Sequence, residues 1–366
     1  MKTITEIIGG GQALLNMNYS LQGCFEEYLS DEYKMFLLIL RAAEEYLPPY
    51  IRPKKNTGRP PYPYFPFIRS MLGKSFFSIE KTSNFIQRLK GDPNLRLLCG
   101  FTKVPDAATF SRMFAYLAQE GLWDPSLDKL VKEAHKGKVV YHVCCDSMMI
   151  AAREKVSEKK EKKVEKPKKK RGRPRKNTIK PPKEASELEK QITEDAATAL
   201  DTINKNCAWG CKKNSQGKVE TTKGYKLHLD VDDIGFPLTG VVTGANVHDS
   251  QLAIIMEKMT EKKVTFCYSL MDSAFDSKTI SDFVYSRERV PIIDPNKRNN
   301  KDRPPLDPAK QERYKIRTTV ERSNSHLRDN LIPKSIYVKG YTKVSFVLMA
   351  SVFCLAVIKY LQYFAC

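Results

Sequence analysis

The most informative stretch of this sequence reads Tyr314-Lys-Ile-Arg-Thr-Thr-Val-Glu-Arg-Ser-Asn-Ser-His-Leu-Arg328. On a helix that turns about 100° per residue, four of its side chains fall within roughly 60° of arc. They are Tyr314, Arg317, Glu321 and Arg328. One helical face would therefore present an aromatic ring, two guanidinium groups and a carboxylate. The alternative is a structural helix on which Arg317 and Glu321 form a solvated pair worth about 0.2–0.5 kcal/mol.

The spacing of these four residues resembles a signature of the DDE transposases in the insertion-sequence-four superfamily of bacterial mobile elements, Tyr-x2-Arg-x3-Glu-x6-Lys/Arg. Arg328 stands where many members have lysine, which keeps the positive charge but changes the geometry of the contact. The resemblance implies that Glu321 is the third acidic residue of the site. The rest of the chain must then supply two aspartates.

The charge of the whole chain favours a polyanionic partner. Its 366 residues carry a formal net charge of +20, which makes nucleic acid a more natural partner than an anionic membrane surface. The nine cysteines form no disulfide-like framework, and the lone Cys207-x3-Cys211 lacks a second pair at zinc spacing. We expect no signal peptide and a reducing, cytoplasmic location, in association with the nucleoid.

The apolar tail from Val344 to Ile358 is the only candidate membrane segment in the sequence. It is shorter than the about 20 residues that span a bilayer. We therefore predict a buried helix that closes the core, and no membrane partner.

Residues 1–135 are predicted to form an all-α N-terminal domain. The clearest helices are Phe67–Phe77, Ile79–Leu89 and Ala107–Gln119. Asp106 is placed to cap the last of these, and Arg112 lies on its polar side. This helix is either a DNA-reading recognition helix or an ordinary helix of a bundle. The region from Gly58 to Phe114 resembles the N-terminal domain of the same transposases, which implies binding of terminal inverted repeats or assembly.

Residues 136–152 contain the first predicted strand of the catalytic core. Apolar and polar positions alternate from Lys138 to Ile150, as in a β-strand. Asp146 then places a carboxylate on a strand that is otherwise apolar. Because burying an unpaired carboxylate is costly, Asp146 must be solvated, paired or bound to a metal.

Residues 153–206 are predicted to be a basic insert followed by a helix from Glu184 to Asn206. Between residues 153 and 183 there are 16 lysines and arginines against four glutamates, so this segment is not expected to form a core. It contains an AT-hook-like motif of Arg171, Gly172, Arg173, Pro174 and Arg175. Such a motif places arginine in the narrow minor groove of A/T-rich DNA. The alternatives are a solvated linker or a localisation signal.

Residues 207–366 are predicted to complete the catalytic core. Lys223 to Gly244 reads as two strands around a turn at Asp232 to Gly235, and Asp249 is placed to cap the next helix. The sequence Gly-Tyr-Lys-x-His, followed by Ala-Asn-x-His-Asp-Ser, resembles the same transposase family. Two more strands are predicted at Val264–Met271 and Val290–Pro295.

The resemblance assigns the second catalytic aspartate to Asp272, at the end of the strand that begins at Val264. Asp276 is better interpreted as the cap of the following helix. Both Asp276 and Asp294 stay open as alternatives for the second acid, because both lie near strand ends.

The predicted order of elements is that of an α/β RNase H-like core with a mixed five-stranded sheet, joined to the all-α domain. This order would bring Asp146, Asp272 and Glu321 to one edge of the sheet. Such carboxylates suit two Mg²⁺ ions about 3.5–4 Å apart, and Mn²⁺ is expected to substitute. Arg317 and Arg328 would hold DNA phosphates, with Tyr314 beside them.

The resemblance thus implies a transposase that binds double-stranded DNA as a dimer or larger multimer. It would cut at the ends of a mobile element and join the 3′ ends to target DNA. The alternative is an inactive, transposase-derived protein that binds A/T-rich DNA. All three carboxylates argue against this alternative, because DNA binding alone does not require acids that face DNA.

Overall fold

The computed structural model describes residues 28–48, 62–156, 185–213, 217–296 and 304–364. The AT-hook-like motif, from Arg171 to Arg175, lies outside these residues.

Six helices precede the first strand in the described part of the chain. They are α1 Asp31–Tyr46, α2 Phe65–Phe76, α3 Thr82–Gly91, α4 Pro93–Leu98, α5 Ala107–Gln119 and α6 Trp123–Ala134. The three helices predicted in this region correspond to α2, α3 and α5. The predicted cap of α5 is confirmed, because an oxygen of Asp106 accepts the backbone N–H of Thr109.

Within the described residues the sheet has six strands rather than the five predicted. They are β1 Val140–Ala151, β2 Ala208–Lys213, β3 Val219–Val231, β4 Pro237–Gly244, β5 Phe266–Met271 and β6 Val290–Ile293. The strand order is β2-β3-β1-β5-β6, and β4 also pairs with β3. The missed strand is β2. It is short, and it contains one alanine, one glycine and two lysines instead of an alternating apolar pattern. The fold is thus a mixed α/β fold.

The register of β1 explains why two aspartates meet. Cys144 pairs with Val231 of the antiparallel strand β3 and with Leu270 of the parallel strand β5. Asp146 lies two residues after Cys144 on β1, and Asp272 lies two residues after Leu270, just beyond the end of the parallel strand β5. Their side chains therefore stand at the same level of the sheet, where β5 ends.

Seven further helices complete the described chain. They are α7 Glu187–Thr193, α8 Ala196–Thr202, α9 Ser250–Glu261, α10 Lys278–Ser286, α11 Pro308–Tyr314, α12 Thr318–His326 and α13 Tyr341–Tyr363. The single helix predicted from Glu184 to Asn206 is therefore wrong. Glu194 is extended and Asp195 caps α8 by accepting the N–H of Ala197, so the chain forms two short helices instead.

The C-terminal helix α13 is the centre of the larger hydrophobic core. It packs against α1, α2, α5, α6 and β4, so the N-terminal helices share one core with the sheet. Among the described residues, α13 is the one helix that is both long enough and apolar enough to cross a membrane. Most of it is nevertheless buried within the protein. It begins at Tyr341 and ends at Tyr363, which extends the predicted tail helix at both ends.

Adjacent residues of β1 face opposite sides of the sheet. Asp146 accepts a hydrogen bond from Asn324 of α12, on the side that α13 covers. Ser147 donates to Asp249, just before α9, on the other side. We call these the α12 face and the α9 face of the sheet.

Candidate active site

The stretch from Tyr314 to Arg328 is not one uniform helix. The helix α11 ends at Tyr314, a 3₁₀ turn covers Lys315–Arg317, and α12 ends at His326. Arg328 follows in a π turn, Leu327–Leu331, where its side chain is exposed. The prediction of one regular helix over this stretch is therefore wrong, because the backbone changes its pitch three times.

Arg317 connects the predicted acids. One guanidinium nitrogen, Nη1, lies 2.6 Å from Glu321 Oε1, and the other, Nη2, lies 3.4 Å from Asp146 Oδ1. Burial opposes the charge of Arg317, but the nearby charges of Asp146, Asp272 and Glu321 raise its pKa. Arg317 thus contacts two of the predicted acids, Asp146 and Glu321, and the charge of the third, Asp272, also acts on it.

Asp146 is held from both sides of its carboxylate. Asn324 Nδ2 donates to Oδ2 at 2.9 Å, while Oδ1 faces Arg317. Burial raises the pKa of Asp146, with Asp272 adding to the rise and the charges of Arg317 and Lys212 opposing it. The Asp146 carboxylate is therefore destabilised in its charged form and would gain from a further cation.

Asp272 directly follows β5, as predicted. Its Oδ1 accepts the backbone N–H of Ala274 at 2.8 Å, which caps the 3₁₀ turn Ser273–Phe275. The interpretation of Asp276 as a helix cap is wrong, because Ser277 is the N-cap residue of α10. Asp276 Oδ2 instead accepts the N–H of Asn296 at 2.8 Å, which binds the loop after β6 to the loop after β5.

Tyr314 also lies beside this acidic group. Burial raises its pKa to about 12; Arg317 opposes this rise, while Asp294, Asp272 and Glu321 add to it. The phenol is therefore protonated at neutral pH and can donate a hydrogen bond. The position of Asp294 near Tyr314 keeps it as an alternative for the second acid.

The oxygen ligands of this group suit a hard divalent cation. Three carboxylates oppose one guanidinium, so Asp146, Asp272 and Glu321 together carry an excess of negative charge. In the described ranges no three acidic, histidine or cysteine residues are close enough together to hold a metal ion directly. Arg317 lies between these carboxylates, and we infer that it would have to share or leave this position when a cation binds.

The turn between β3 and β4 holds the helix that carries Glu321. Ser323 Oγ donates to the carbonyl oxygen of Gly235 at 2.9 Å, and Thr319 Oγ1 donates to that of Asp232 at 3.4 Å. Gly235 has a φ of +78°, and a Cβ atom there would lie 2.6 Å from Ser323 Oγ. The two contacts lie two residues before and two residues after Glu321, so they fix the position of its helix.

A second buried polar group lies on the α9 face of the sheet. Asp249 Oδ1 accepts hydrogen bonds from Lys226 Nζ at 3.0 Å and from Ser147 Oγ at 2.8 Å. Asp249 is the N-cap residue of α9, as predicted, but its side chain makes no capping bond to the helix. Burial opposes its ionisation, but Lys226, His228 and Ser147 together lower the pKa of Asp249.

The remaining described DNA-binding candidate lies on the surface of the N-terminal helices. Arg112 is exposed on α5, and its Nη2 donates to Thr109 Oγ1 at 3.2 Å.

An open pocket of about 730 Å³ lies beside α11 and α12. The charged residues that line it are Asp233, Glu312, Arg313, Lys315 and Arg322.

Several residues of this site were missed from the sequence. Asn324 could have been found, because it lies one helical turn after Glu321 and therefore close to the same face. The roles of Gly235 and Ser323 could not have been found from the sequence, because their contact joins segments that are 88 residues apart.

Comparison with known families identifies the class of protein. Residues 141–356 match the family model described as the transposase DDE domain, and residues 34–115 match a transposase domain designated DUF772. No curated protein and no solved structure matches this chain. The fold and the acidic group thus belong to a DNA-processing enzyme. The chain is a member of the DDE transposase family, whose DDE domain implies an RNase H-like core, DNA binding and use of a divalent metal.

Proposed function

We propose that this transposase cuts DNA at the ends of a mobile element and joins the 3′ ends to target DNA, as in the insertion-sequence-four superfamily. The observation that carries the proposal is the grouping of Asp146 and Glu321 around Arg317, with Asp272 at the same edge of the sheet. In this proposal the three acids are the catalytic residues.

The three carboxylates would hold Mg²⁺, or Mn²⁺ in its place. Two such ions activate the attacking water or 3′-hydroxyl and stabilise the leaving oxygen. The excess of carboxylates over cations at the site supports this role, because it leaves negative charge for added cations to neutralise.

Arg317 and Tyr314 would bind the DNA next to the acids. Arg317 presents two N–H groups at the acidic group, a geometry that suits two oxygens of one phosphate. The protonated phenol of Tyr314 donates a hydrogen bond or stacks beside it. Arg328, Arg112 and the segment from Arg171 to Arg175 would add contacts to the phosphate backbone and the minor groove.

The substrate also defines the proposed assembly and location. Two element ends must be held together for cutting and joining, so a dimer or larger multimer would act on double-stranded DNA in the nucleoid. Membership of the superfamily rests on the spacing of Tyr314, Arg317, Glu321 and Arg328.

The first test is Mg²⁺-dependent cleavage and strand transfer on the DNA that flanks the source gene. Glu321→Gln should abolish both reactions while DNA affinity is kept. Glu312→Gln is a matched control, because Glu312 is an exposed acid of α11 that pairs with Lys315. If Glu321→Gln retains cleavage, the catalytic assignment is wrong. If neither the wild type nor Glu321→Gln cuts but both bind A/T-rich duplex, the protein is an inactive DNA-binding descendant.

The second acid is tested by three alanine variants, at Asp272, Asp276 and Asp294. Asp272→Ala should abolish cleavage and leave DNA affinity unchanged. Asp276→Ala removes a contact to the backbone of Asn296 and should reduce cleavage only in part. Full activity in Asp272→Ala together with none in Asp276→Ala or Asp294→Ala would move the catalytic role to that residue.

A further inference from the structure

The strands β2 and β3 form a two-stranded ribbon that extends beyond the rest of the sheet. The pairing of β1 with β3 ends at Ala151 and Gly224, whereas β3 continues to pair with β2 from Gly224 back to Val219. The ribbon is thus an extension of the strand that lies next to Asp146.

The base of the ribbon is closely packed. A Cβ atom on Gly224 would lie 2.0 Å from the carbonyl oxygen of Ile150, and one on Gly210 would lie 2.2 Å from that of Ala245. Only glycine permits such approaches of one backbone to another. The direction in which the ribbon leaves the sheet is therefore set by backbone packing.

One surface of the ribbon continues the α12 face of the sheet. Directly paired residues of antiparallel strands share a face, and side chains alternate along each strand. Asp146 pairs with Leu229, and Lys223, three alternations further along β3, pairs with Trp209. Trp209 and Lys223 therefore lie on the same face as Asp146.

This surface is apolar and basic at once. The exposed fraction of Trp209 is 56 % and that of Val219 is 60 %. Lys223, on the same face as Trp209, is half-buried. Lys212 pairs with Glu220 and therefore lies on the opposite face of the ribbon. Exposed tryptophan next to lysine is a combination that binds nucleic acid, because the ring stacks on bases and the ammonium groups contact phosphates.

We propose that the β2–β3 ribbon is a DNA-binding arm, in which Trp209 contacts a nucleotide and Lys223 contacts a phosphate of the strand that enters the acidic site. The proposal rests on the proposed function, because it assumes that DNA passes along the α12 face. A second copy of this chain is the competing occupant of the same surface.

Tryptophan fluorescence gives a direct test of contact. The chain has two tryptophans, and Trp123 is 2 % exposed, so a change of emission on binding reports on Trp209. Duplex DNA from the flank of the source gene, added to the full-length protein in Ca²⁺ to prevent cleavage, should quench the emission. Trp209→Phe should bind with nearly unchanged affinity and show no quenching. Trp209→Ala should bind about 10-fold more weakly.

Lys223 is tested by the dependence of affinity on salt. Lys223→Ala should reduce the slope of log K against log salt by about 0.9, which is the contribution of one phosphate contact. The control is Lys190→Ala/Lys262→Ala, because these exposed lysines pair with acids on and near α7. Its slope should match that of the wild type.

The outcomes separate the arm from the function. If the wild type binds duplex but Trp209 is not quenched and the salt slope of the lysine variant is unchanged, the arm is wrong and the transposase function stands. If the wild type binds no duplex, the proposed function fails first. If Trp209→Ala turns a multimer into a monomer in sedimentation at unchanged DNA affinity, the surface binds a second copy and the proposal is overturned.

Discussion

Asp146 and Ser147 are neighbours on β1, and each belongs to a different buried polar group on its own face of the sheet. On the α12 face, the carboxylate of Asp146 contacts the guanidinium of Arg317, on which the charges of Asp272 and Glu321 also act. On the α9 face, Ser147 lies beside one carboxylate, Asp249, which is matched by the ammonium of Lys226. Both groups lie at the same level of the same strand, on opposite faces of the sheet, and they differ in their balance of charge.

The pKa values of the two aspartates follow this balance. Burial raises the pKa of Asp146, and its cationic neighbours do not overcome that rise. Burial also acts on Asp249, yet Lys226 and the hydrogen-bond donors around it lower its pKa overall. The α9 group is therefore complete without a ligand, whereas the α12 group holds uncompensated negative charge. This difference supports the proposal that the metal and the chemistry lie on the α12 face.

The strongest test exchanges each aspartate for asparagine. Asp146→Asn should reduce cleavage by about 10³-fold or more, because a catalytic unit is lost. Its free energy of unfolding should be equal or higher, since removing a charge that the fold disfavours costs nothing. Asp249→Asn should instead lower the free energy of unfolding by about 3–5 kcal/mol, because Lys226 is left buried without its partner.

Urea unfolding and single-turnover cleavage of both variants check this crossed result. The double variant Lys226→Met/Asp249→Asn should recover most of the lost stability, since neither charge is then left alone. If Asp249→Asn abolishes cleavage in fully folded protein, the α9 group takes part in catalysis and the distinction between the two faces fails.

Asn324 sharpens the comparison on the α12 face. Its amide holds Asp146 Oδ2, so Asn324→Ala should weaken the apparent affinity for Mn²⁺ by about 10–100-fold. Titration of Mn²⁺ by electron paramagnetic resonance measures this without any turnover. The control is Asn204→Ala, which removes an exposed amide contact to Asn246 and should bind Mn²⁺ like the wild type. Unchanged affinity in Asn324→Ala would show that this bond is only structural.

The fold was more predictable than the contacts within the site. The alternation from Lys138 to Ile150 and the apolar run before Asp272 predict two strands, and the structure contains both. Local pattern determines such elements because a half-buried strand must alternate. The strand β2 was missed because its pairing with β3, and not its own apolar content, makes it a strand.

The errors at the site share a physical origin. Asp249 and Asp276 each precede a helix, where aspartate often caps, but both side chains make tertiary contacts instead. The uniform helix assumed from Tyr314 to Arg328 is broken by a 3₁₀ turn that brings Arg317 between Asp146 and Glu321. Partners that are distant in sequence decide these details, and one sequence does not name them.

A smaller effect concerns the pH dependence of the α9 face. Burial lowers the pKa of His228 to about 4, with Asp249 opposing the shift and Lys226 adding to it. The histidine is neutral when folded, so its contribution to stability is complete above its unfolded pKa of about 6.5 and is lost as the pH falls towards 4. The expected loss between pH 7 and pH 5 is about 2 kcal/mol.

Urea unfolding at several pH values measures this dependence. The variant His228→Asn should lack the about 2 kcal/mol component while keeping the pH dependence of the other groups. An identical pH profile in the variant would mean that His228 has the same pKa in the folded and the unfolded protein, and the assigned effect of burial would then be wrong.

The smallest effect concerns the turn that fixes Glu321. Gly235→Ala should cost about 1 kcal/mol for its positive φ, and more because the new methyl meets Ser323 Oγ at 2.6 Å. Gly121→Ala isolates the free-energy cost of a positive φ, because Gly121 has a φ of +62° and no atom lies within 4 Å of its added Cβ. Urea unfolding should rank Gly235→Ala below Gly121→Ala, and cleavage per folded molecule should fall only in Gly235→Ala. If both variants cleave equally well, the turn supports the fold but does not position Glu321.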